Sequence, residues 1–284
     1  MTPLRKKMID VMVLKGYSPC TQSTYLYSVE KVARYFHRSP DTIDPGELEQ
    51  YFLYLLTEKN MASASVRLVV NSMRFLNTHV LQRPAQDFVV RYPKRAQRIP
   101  ELLTRDEVQR ILAQVSNPKH YTLLATCYAL GLRVSEVVHL HVRDIDSARE
   151  LVHVRAGKGN KDRAVILPDS LLKLLRRYWL RYHPRDILFY GQEPTIAITT
   201  GSVGKVFRRA RSAAGVDKQG GVHSLRHAYA THQLEAGMPA FKLQRLLGHV
   251  DMKSTLRYVH WLPTYENRGR IGVDLLCWPE EISA

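Results

Sequence analysis

Residues 222–258 read VHSLRHAYATHQLEAGMPAFKLQRLLGHVDMKSTLRY. His223 and Arg226 stand three residues apart, a spacing that puts both on one face of a helix. An imidazole beside a guanidinium makes a phosphate clamp, because the guanidinium presents a rigid fork of donors that matches phosphate oxygens. Gly248-His249 follows, and Tyr258 lies nine residues beyond His249 in a short basic segment with helical character. Tyr258 is the candidate nucleophile. A phenol has an unperturbed pKa near 10, so it attacks only if nearby positive charge stabilises the phenolate or a base takes the proton. In sequence the nearest such base is His249.

Upstream of this stretch two further pieces carry cations. The apolar run from Tyr121 to Leu130 predicts a core helix closed by Gly131, and Gly131-Leu132-Arg133-Val134-Ser135-Glu136 comes next. Arg133 therefore sits at the edge of a core, either poised for a ligand or paired on the surface with Glu136. Residues 151–155 (LVHVR) and 163–167 (RAVIL) alternate as strands do, and AGKGNKD between them makes a glycine-rich hairpin tip bearing Lys158 and Lys161. The tip lacks the spacing and the Ser/Thr of a Walker loop, so no nucleoside triphosphate is implied. Its lysines either reach a nucleic-acid phosphate or keep a plain turn soluble.

The same domain begins at Thr104, which with Glu107 forms a capping box before Val108, Ile111, Leu112 and Val115. Asp169 reads as the cap of a leucine-rich helix, ILFY at 187–190 as a short strand, and Val203, Val206, Phe207 and Ala210 as the buried face of a helix. That helix turns Lys205, Arg208, Arg209 and Arg211 outward as a basic face for phosphate contacts. Beyond Tyr258, the residues Trp261, Leu262, Ile271, Val273, Leu275, Leu276 and Trp278 are too apolar for a free tail. This tail must dock, in cis or on a neighbour.

The first 85 residues predict four helices and no distinctive chemistry. Their apolar stripes run through Leu4, Met8, Val11 and Met12; Tyr25, Val29, Val32, Ala33 and Phe36; Leu48, Tyr51, Phe52, Leu55 and Leu56; and Val66, Val69, Val70, Met73 and Leu76. Ser18-Pro19 and Asp44-Pro45 with Glu47 are helix starts. Residues 86–103, flanked and broken by prolines 84, 93 and 100 and carrying basic residues, read as a connector. A basic connector suits a chain that clamps a duplex from both sides, and equally a solvated joint.

Composition fits this division. The chain has 284 residues, 45% hydrophobic and 24% charged, a globular profile long enough for two domains. Its 42 Lys and Arg against 26 Asp and Glu give a net charge of +16, which draws polyanions and makes nucleic acid the first candidate partner, with ribosomal and membrane surfaces behind it. Cys20, Cys127 and Cys277 are odd in number and widely spaced, so they suggest neither a disulfide framework nor a metal site. No run approaches the roughly 18 apolar residues of a membrane span, and charges interrupt the N-terminus before a secretory core can form. The expectation is a soluble cytoplasmic protein, nucleoid-associated when bound to DNA.

H-x-x-R, L-G-H and the following tyrosine, preceded by G-L-R-V-S-E and G-K-G-N-K-D-R, together resemble the tyrosine recombinase family of phage integrases and Xer-type site-specific recombinases. The resemblance covers nearly the whole chain. It implies a mainly α fold with a small β-sheet: a helical core-binding domain at 1–85, a basic linker at 86–103, and a mixed α/β catalytic domain at 104–284 that includes the tail. Residue by residue, it implies that Arg133 and Arg226 hold the non-bridging oxygens of the scissile phosphate. Lys158 corresponds to the hairpin lysine, His223 and His249 to the two histidines, and Tyr258 to the nucleophile, with Glu136 in support. The implied reaction leaves a 3′-phosphotyrosyl link and a free 5′-hydroxyl, with no cofactor, metal or ATP. The implied assembly is a homotetramer, or a heterotetramer with a related recombinase, on synapsed double-stranded DNA sites, with the apolar tail buried on a neighbouring subunit. A type IB topoisomerase, which relaxes supercoils without synapsis, shares this chemistry, and a non-catalytic DNA-binding relative would share the scaffold.

Cations that neutralise phosphates release counterions, so the affinity of the chain for a short duplex is expected to fall steeply between 50 mM and 200 mM salt. Titrations at several salt concentrations check this, and a nearly flat dependence would contradict a basic clamp.

Overall fold

The computed structural model describes residues 1–84, 101–155 and 162–261. The chain divides into two compact units, residues 1–98 and 99–284.

In the first unit α1 (Pro3–Leu14), α2 (Pro19–Phe36) and α3 (Pro45–Thr57) each carry proline in the first turn, where its missing N–H costs nothing. Their cap residues Thr2, Ser18 and Asp44 accept from the backbone N–H three residues on, and Asp44 with Glu47 completes a capping box. The fourth helix, α4 (Ser63–Phe75), runs on into one π-helical turn at Leu76–Val80. The faces expected from periodicity meet in one core, with Met8, Met12, Val32, Leu48, Phe52, Val66, Met73 and Leu76 all essentially inaccessible to solvent.

The second unit starts earlier than the capping box suggests. Leu103 is 2% exposed within its core, and the Leu102 carbonyl accepts from Lys218 Nζ at 2.7 Å. Residues 101–103, assigned to the connector on their proline and charge content, are thus held by apolar burial and one ion; the rest of that stretch, 86–100, lies outside the described residues. After α5 (Arg105–Ala113) comes α6 (Pro118–Ala129), which is buried almost all round, as its unbroken apolar run requires. A short α7 (Val134–Val138) leads to an antiparallel sheet of β1 (Ile145–Asp146), β2 (Leu151–Val154) and β3 (Arg163–Ile166), in that order among the described residues. Leu151 pairs with Ile166 and Val154 with Arg163, so the hairpin tip expected at 156–162 is bounded by Arg155 and Arg163, while residues 156–161 lie outside the described part.

Then follow α8 (Asp169–Tyr182), α9 (Thr200–Ala213), α10 (His223–Glu235), α11 (Ala240–Leu247) and α12 (Met252–His260). Two local expectations are corrected. ILFY is no strand of the sheet: Ile187 and Tyr190 each make one isolated bridge, to His141 and Ala197, while Leu188 and Phe189 are buried in the core. Asp169 is not the cap of α8 but its first helical residue, behind Pro168, where its charge suits the helix dipole and pairs with Lys173.

The second core is threaded by α10, which is buried from Leu225 to Leu234 apart from half-buried His227. Its approach to α6 depends on Gly131. That residue has φ +59°, and a Cβ there would stand 2.3 Å from the Tyr229 ring. Only glycine lets α6 end against α10 at this distance.

Candidate active site

Glu136, in the first turn of α7, gathers the site. One of its carboxylate oxygens caps the Arg133 N–H at 2.8 Å while the other accepts from Arg133 Nη1 at 2.7 Å. From β3, Arg163 grips the same carboxylate with Nη1 at 3.0 Å and Nη2 at 2.8 Å, and Arg226 Nη1 lies 3.8 Å away. Burial alone would raise the Glu136 pKa, but the hydrogen bonds and charge of Arg163, then those of Arg133, outweigh it and hold the pKa at about 2.

Two of the three guanidiniums also reach a chain turn. Arg163 Nε donates to the Leu246 carbonyl at 2.7 Å, and Arg226 donates to Gly131 at 2.8 Å and to Leu247 at 2.6 Å. The last carbonyls of α11 are thereby satisfied by cations, the usual need at a helix C-terminus. Gly248 closes α11 at φ +64°, where a Cβ would meet Arg163 Cδ at 3.0 Å. The glycine of L-G-H therefore serves both the left-handed turn and the guanidinium packed on it. Arg226 is 1% exposed; burial first, then the charge of Arg133, lowers its pKa to about 10, so it stays charged at neutral pH.

Around this core stand the two motif histidines and the tyrosine. His223 opens α10 and is exposed, and its proton affinity is lowered by desolvation against the surrounding wall, then by Arg226 and Arg133. His249 donates to or accepts from Thr255 Oγ1 through Nδ1 at 2.8 Å, and burial, followed by Arg226 and Arg133, lowers its pKa to about 4. Tyr258 is 4% exposed, with its ring parallel to that of His249 at 6.2 Å and edge-on to Trp261 at 5.3 Å. Desolvation raises the phenol's pKa despite Arg226, Arg257 and Arg133, so the site does not hold a ready phenolate.

Arg133, His223, Arg226, His249 and Tyr258 thus come together from α7, α10, α12 and the turn after α11. Lys158 and Lys161 lie outside the described residues. His249 is not the phenol's partner: Tyr258 Oη makes its hydrogen bond to His227 Nδ1, at 2.8 Å. Nearness in sequence misled here, because the helix of His227 passes closer to Oη than the turn of His249. Two residues went unnoticed in the sequence. His227 follows Arg226 and lies four residues after His223, a spacing that places it on the His223 side of α10; Arg163 opens a strand, where a half-buried arginine needs a partner. On α9 the exposed basic face is Lys205, Arg208 and Arg209, since Arg211 is spent on the Gly220 carbonyl at 2.7 Å. No group of three or more His, Cys, Asp or Glu side chains among the described residues is placed to hold a metal ion.

The arrangement is a buried tyrosine beside guanidiniums that one carboxylate cannot neutralise. Residues 101–264 match the phage integrase family, and residues 4–87 match the phage integrase N-terminal SAM-like domain. The chain is 41% identical over 262 residues to the putative integrase/recombinase y4qK of Sinorhizobium fredii, covering 91% of this chain and 84% of that one. It is 31% identical to an integrase/recombinase of Pseudomonas aeruginosa, over 87% of this chain and 86% of the relative. Among solved structures, XerA recombinase is similar with a TM-score of 0.55 at 26% identity over 92% of this chain and 94% of that one. XerH bound to difH substrate before cleavage reaches a TM-score of 0.71 at 19% identity, over 91% and 82% of the two chains, a likeness of fold. The chain belongs to the phage integrase family, the tyrosine recombinases. It is an enzyme of DNA strand cleavage and rejoining.

Glu136 supports the fold only while ionised. Its folded pKa of about 2 lies below the ordinary 4.5, so its contribution is full above about pH 4.5 and is lost as pH falls toward 2. The contribution is of order 3 kcal/mol. Urea unfolding across this window should show Glu136→Gln less stable than the wild type at pH 7 and the difference shrinking toward pH 2; a constant difference would contradict the assignment.

Proposed function

We propose that this chain is a site-specific recombinase in which Tyr258 attacks the scissile phosphorus, leaving a 3′-phosphotyrosyl link and a free 5′-hydroxyl. Arg133 and Arg226 hold the non-bridging oxygens, His223 and His249 orient the phosphate by hydrogen bonds, and Lys158 protonates the departing 5′-oxygen. The observation that carries this reading is the convergence of the five described motif side chains on one pocket whose guanidiniums are fixed by Glu136. Charge spread over equatorial phosphate oxygens is stabilised by such fixed cations without reorganisation. The covalent link conserves the bond energy, so a 5′-hydroxyl from another strand reverses the step and rejoins in a new partnership.

The relatives' names, integrase and recombinase, favour strand exchange over relaxation of supercoils. Exchange needs four active sites, and the working form in this reading is a tetramer of this chain, alone or with a related recombinase, on two synapsed duplexes. The unit at 1–98 serves as the second jaw on the DNA, and the apolar tail docks on a neighbour. The reading places the protein in the cytoplasm, at the nucleoid when bound.

The test uses duplexes recovered by sequencing genomic fragments that the wild-type chain traps covalently. Tyr258→Phe is expected to bind them normally and to form no denaturant-resistant adduct; a surviving adduct would show a different nucleophile. Lys158→Ala is expected to cleave ordinary DNA slower by on the order of 10² to 10⁴. Sulfur in place of the bridging 5′-oxygen should restore much of that rate, because a thiolate, from a thiol of pKa near 8.5, leaves almost unaided. Failure of sulfur to help would make Lys158 a groove contact instead of the acid.

A further inference from the structure

A buried phenol with a raised pKa must lose its proton during attack, and the arginines that hold the phosphate cannot take it. The hydrogen bond on Tyr258 Oη shows which group stands nearest to take that proton. Its partner is His227 Nδ1 at 2.8 Å, the heavy-atom distance a general base needs, and in the tautomer that carries the ring proton on Nε2 this nitrogen is the acceptor. His249, by contrast, has its Nδ1 on Thr255 and faces the phenol ring in a stacked relation, with centroids 6.2 Å apart.

We propose that His227 is a further catalytic residue, the general base that takes the Tyr258 proton as Oη bonds to phosphorus and returns it on rejoining. The proposal rests on Tyr258 being the nucleophile. In the forward step the Oη–P bond forms as the P–O5′ bond breaks, the phenolic proton passes to His227 Nδ1, and the 5′-oxygen leaves with a proton from its own acid. In the reverse step the 5′-hydroxyl attacks phosphorus and returns its proton to that acid, now acting as base, while the Oη–P bond breaks and His227 gives its proton back to Oη, so atoms and charge balance in both directions.

The surroundings explain why the transfer waits for DNA. Burial first, then His223, Arg226 and Arg257, lowers the pKa of His227 to about 4, so its imidazole is neutral at physiological pH and, in the Nε2–H tautomer, presents Nδ1 as an acceptor to the phenol. Transfer to so weak a base is uphill in the empty site. A bound phosphodiester brings negative charge to Arg226, one of the groups that suppress protonation of His227, and Oη loses its basicity as it bonds to phosphorus. Both changes favour the imidazolium. The ring is also held in place: it meets His223 edge-to-face at 4.6 Å and Trp261 at 6.2 Å, while its backbone carbonyl accepts from Thr231. His227 therefore cannot easily turn its Nδ1 away from the nucleophile.

The experiment measures single-turnover cleavage of a trapped-site duplex by the full chain carrying His227→Asn, His227→Gln or His227→Ala, beside Tyr258→Phe. An asparagine oxygen near the Nδ1 position keeps a hydrogen bond to the phenol but takes no proton. The expected result is normal duplex binding with cleavage slowed by on the order of 10² to 10⁴ in His227→Asn as well as in His227→Ala. Bridging sulfur, which relieves a leaving-group defect, should rescue neither, and added imidazole should partly restore His227→Ala. If His227→Asn cleaves at the wild-type rate, the histidine only positions the phenol and the proposal fails. Rescue by sulfur would place the defect on the leaving group and overturn it too, as would loss of duplex binding in all three variants, which would assign His227 to the fold. An adduct persisting in Tyr258→Phe would instead remove the nucleophile on which the proposal rests.

Discussion

Glu136 carries one negative charge at 6% side-chain exposure, and three guanidiniums converge on it from α7, β3 and α10. A buried ion pair alone is weak ground for stability, since desolvation offsets the attraction. Here the excess lies on the positive side: one carboxylate fixes three cations but cannot neutralise them. The charge left over is aimed at an anion from outside. The same contact that orders the turns of the second unit thus leaves a local excess of positive charge, which in the proposed reading a DNA phosphate meets.

Backbone geometry serves this contact at two glycines. Gly131 brings the end of α6 against Tyr229 and offers its carbonyl to Arg226, while Gly248 ends α11 beneath Arg163 and sets His249 in the following turn. Arg163 links strand, carboxylate and helix end through all three of its nitrogens. Through the shared carboxylate and the Leu246 carbonyl it ties Arg133 to the end of α11, just before the His249 turn. His227 adds the complementary feature, a neutral imidazole on the Tyr258 hydroxyl inside a field of cations.

Much of the fold was legible in the sequence because the signals were local. Capping residues with prolines marked the N-terminal helices, alternation marked β2 and β3, and the order of H-x-x-R, L-G-H and tyrosine picked out side chains that the fold brings near one another. The misreadings were those in which three-dimensional proximity overrode nearness along the chain. His249 lies nearer to Tyr258 in sequence, but α10 carries His227 to the phenol. Arg163 does open a strand, but its pairing with Glu136 went unseen because the partner is 27 residues away. ILFY has strand composition, but burial of Leu188 and Phe189 in the core takes the place of a ladder, and Leu103 looked like connector until its burial against the second core counted more than the prolines before it.

The account turns on one covalent bond. Trapping the wild-type chain on its DNA under denaturing conditions, digesting with nuclease and protease, and sequencing the nucleotide-bearing peptide by mass spectrometry would locate that bond directly. The account predicts a nucleotide joined through its 3′-phosphate to Tyr258, within the peptide that contains Arg257 or begins after it. A nucleotide on any other residue, or one joined through a 5′-phosphate, would contradict it.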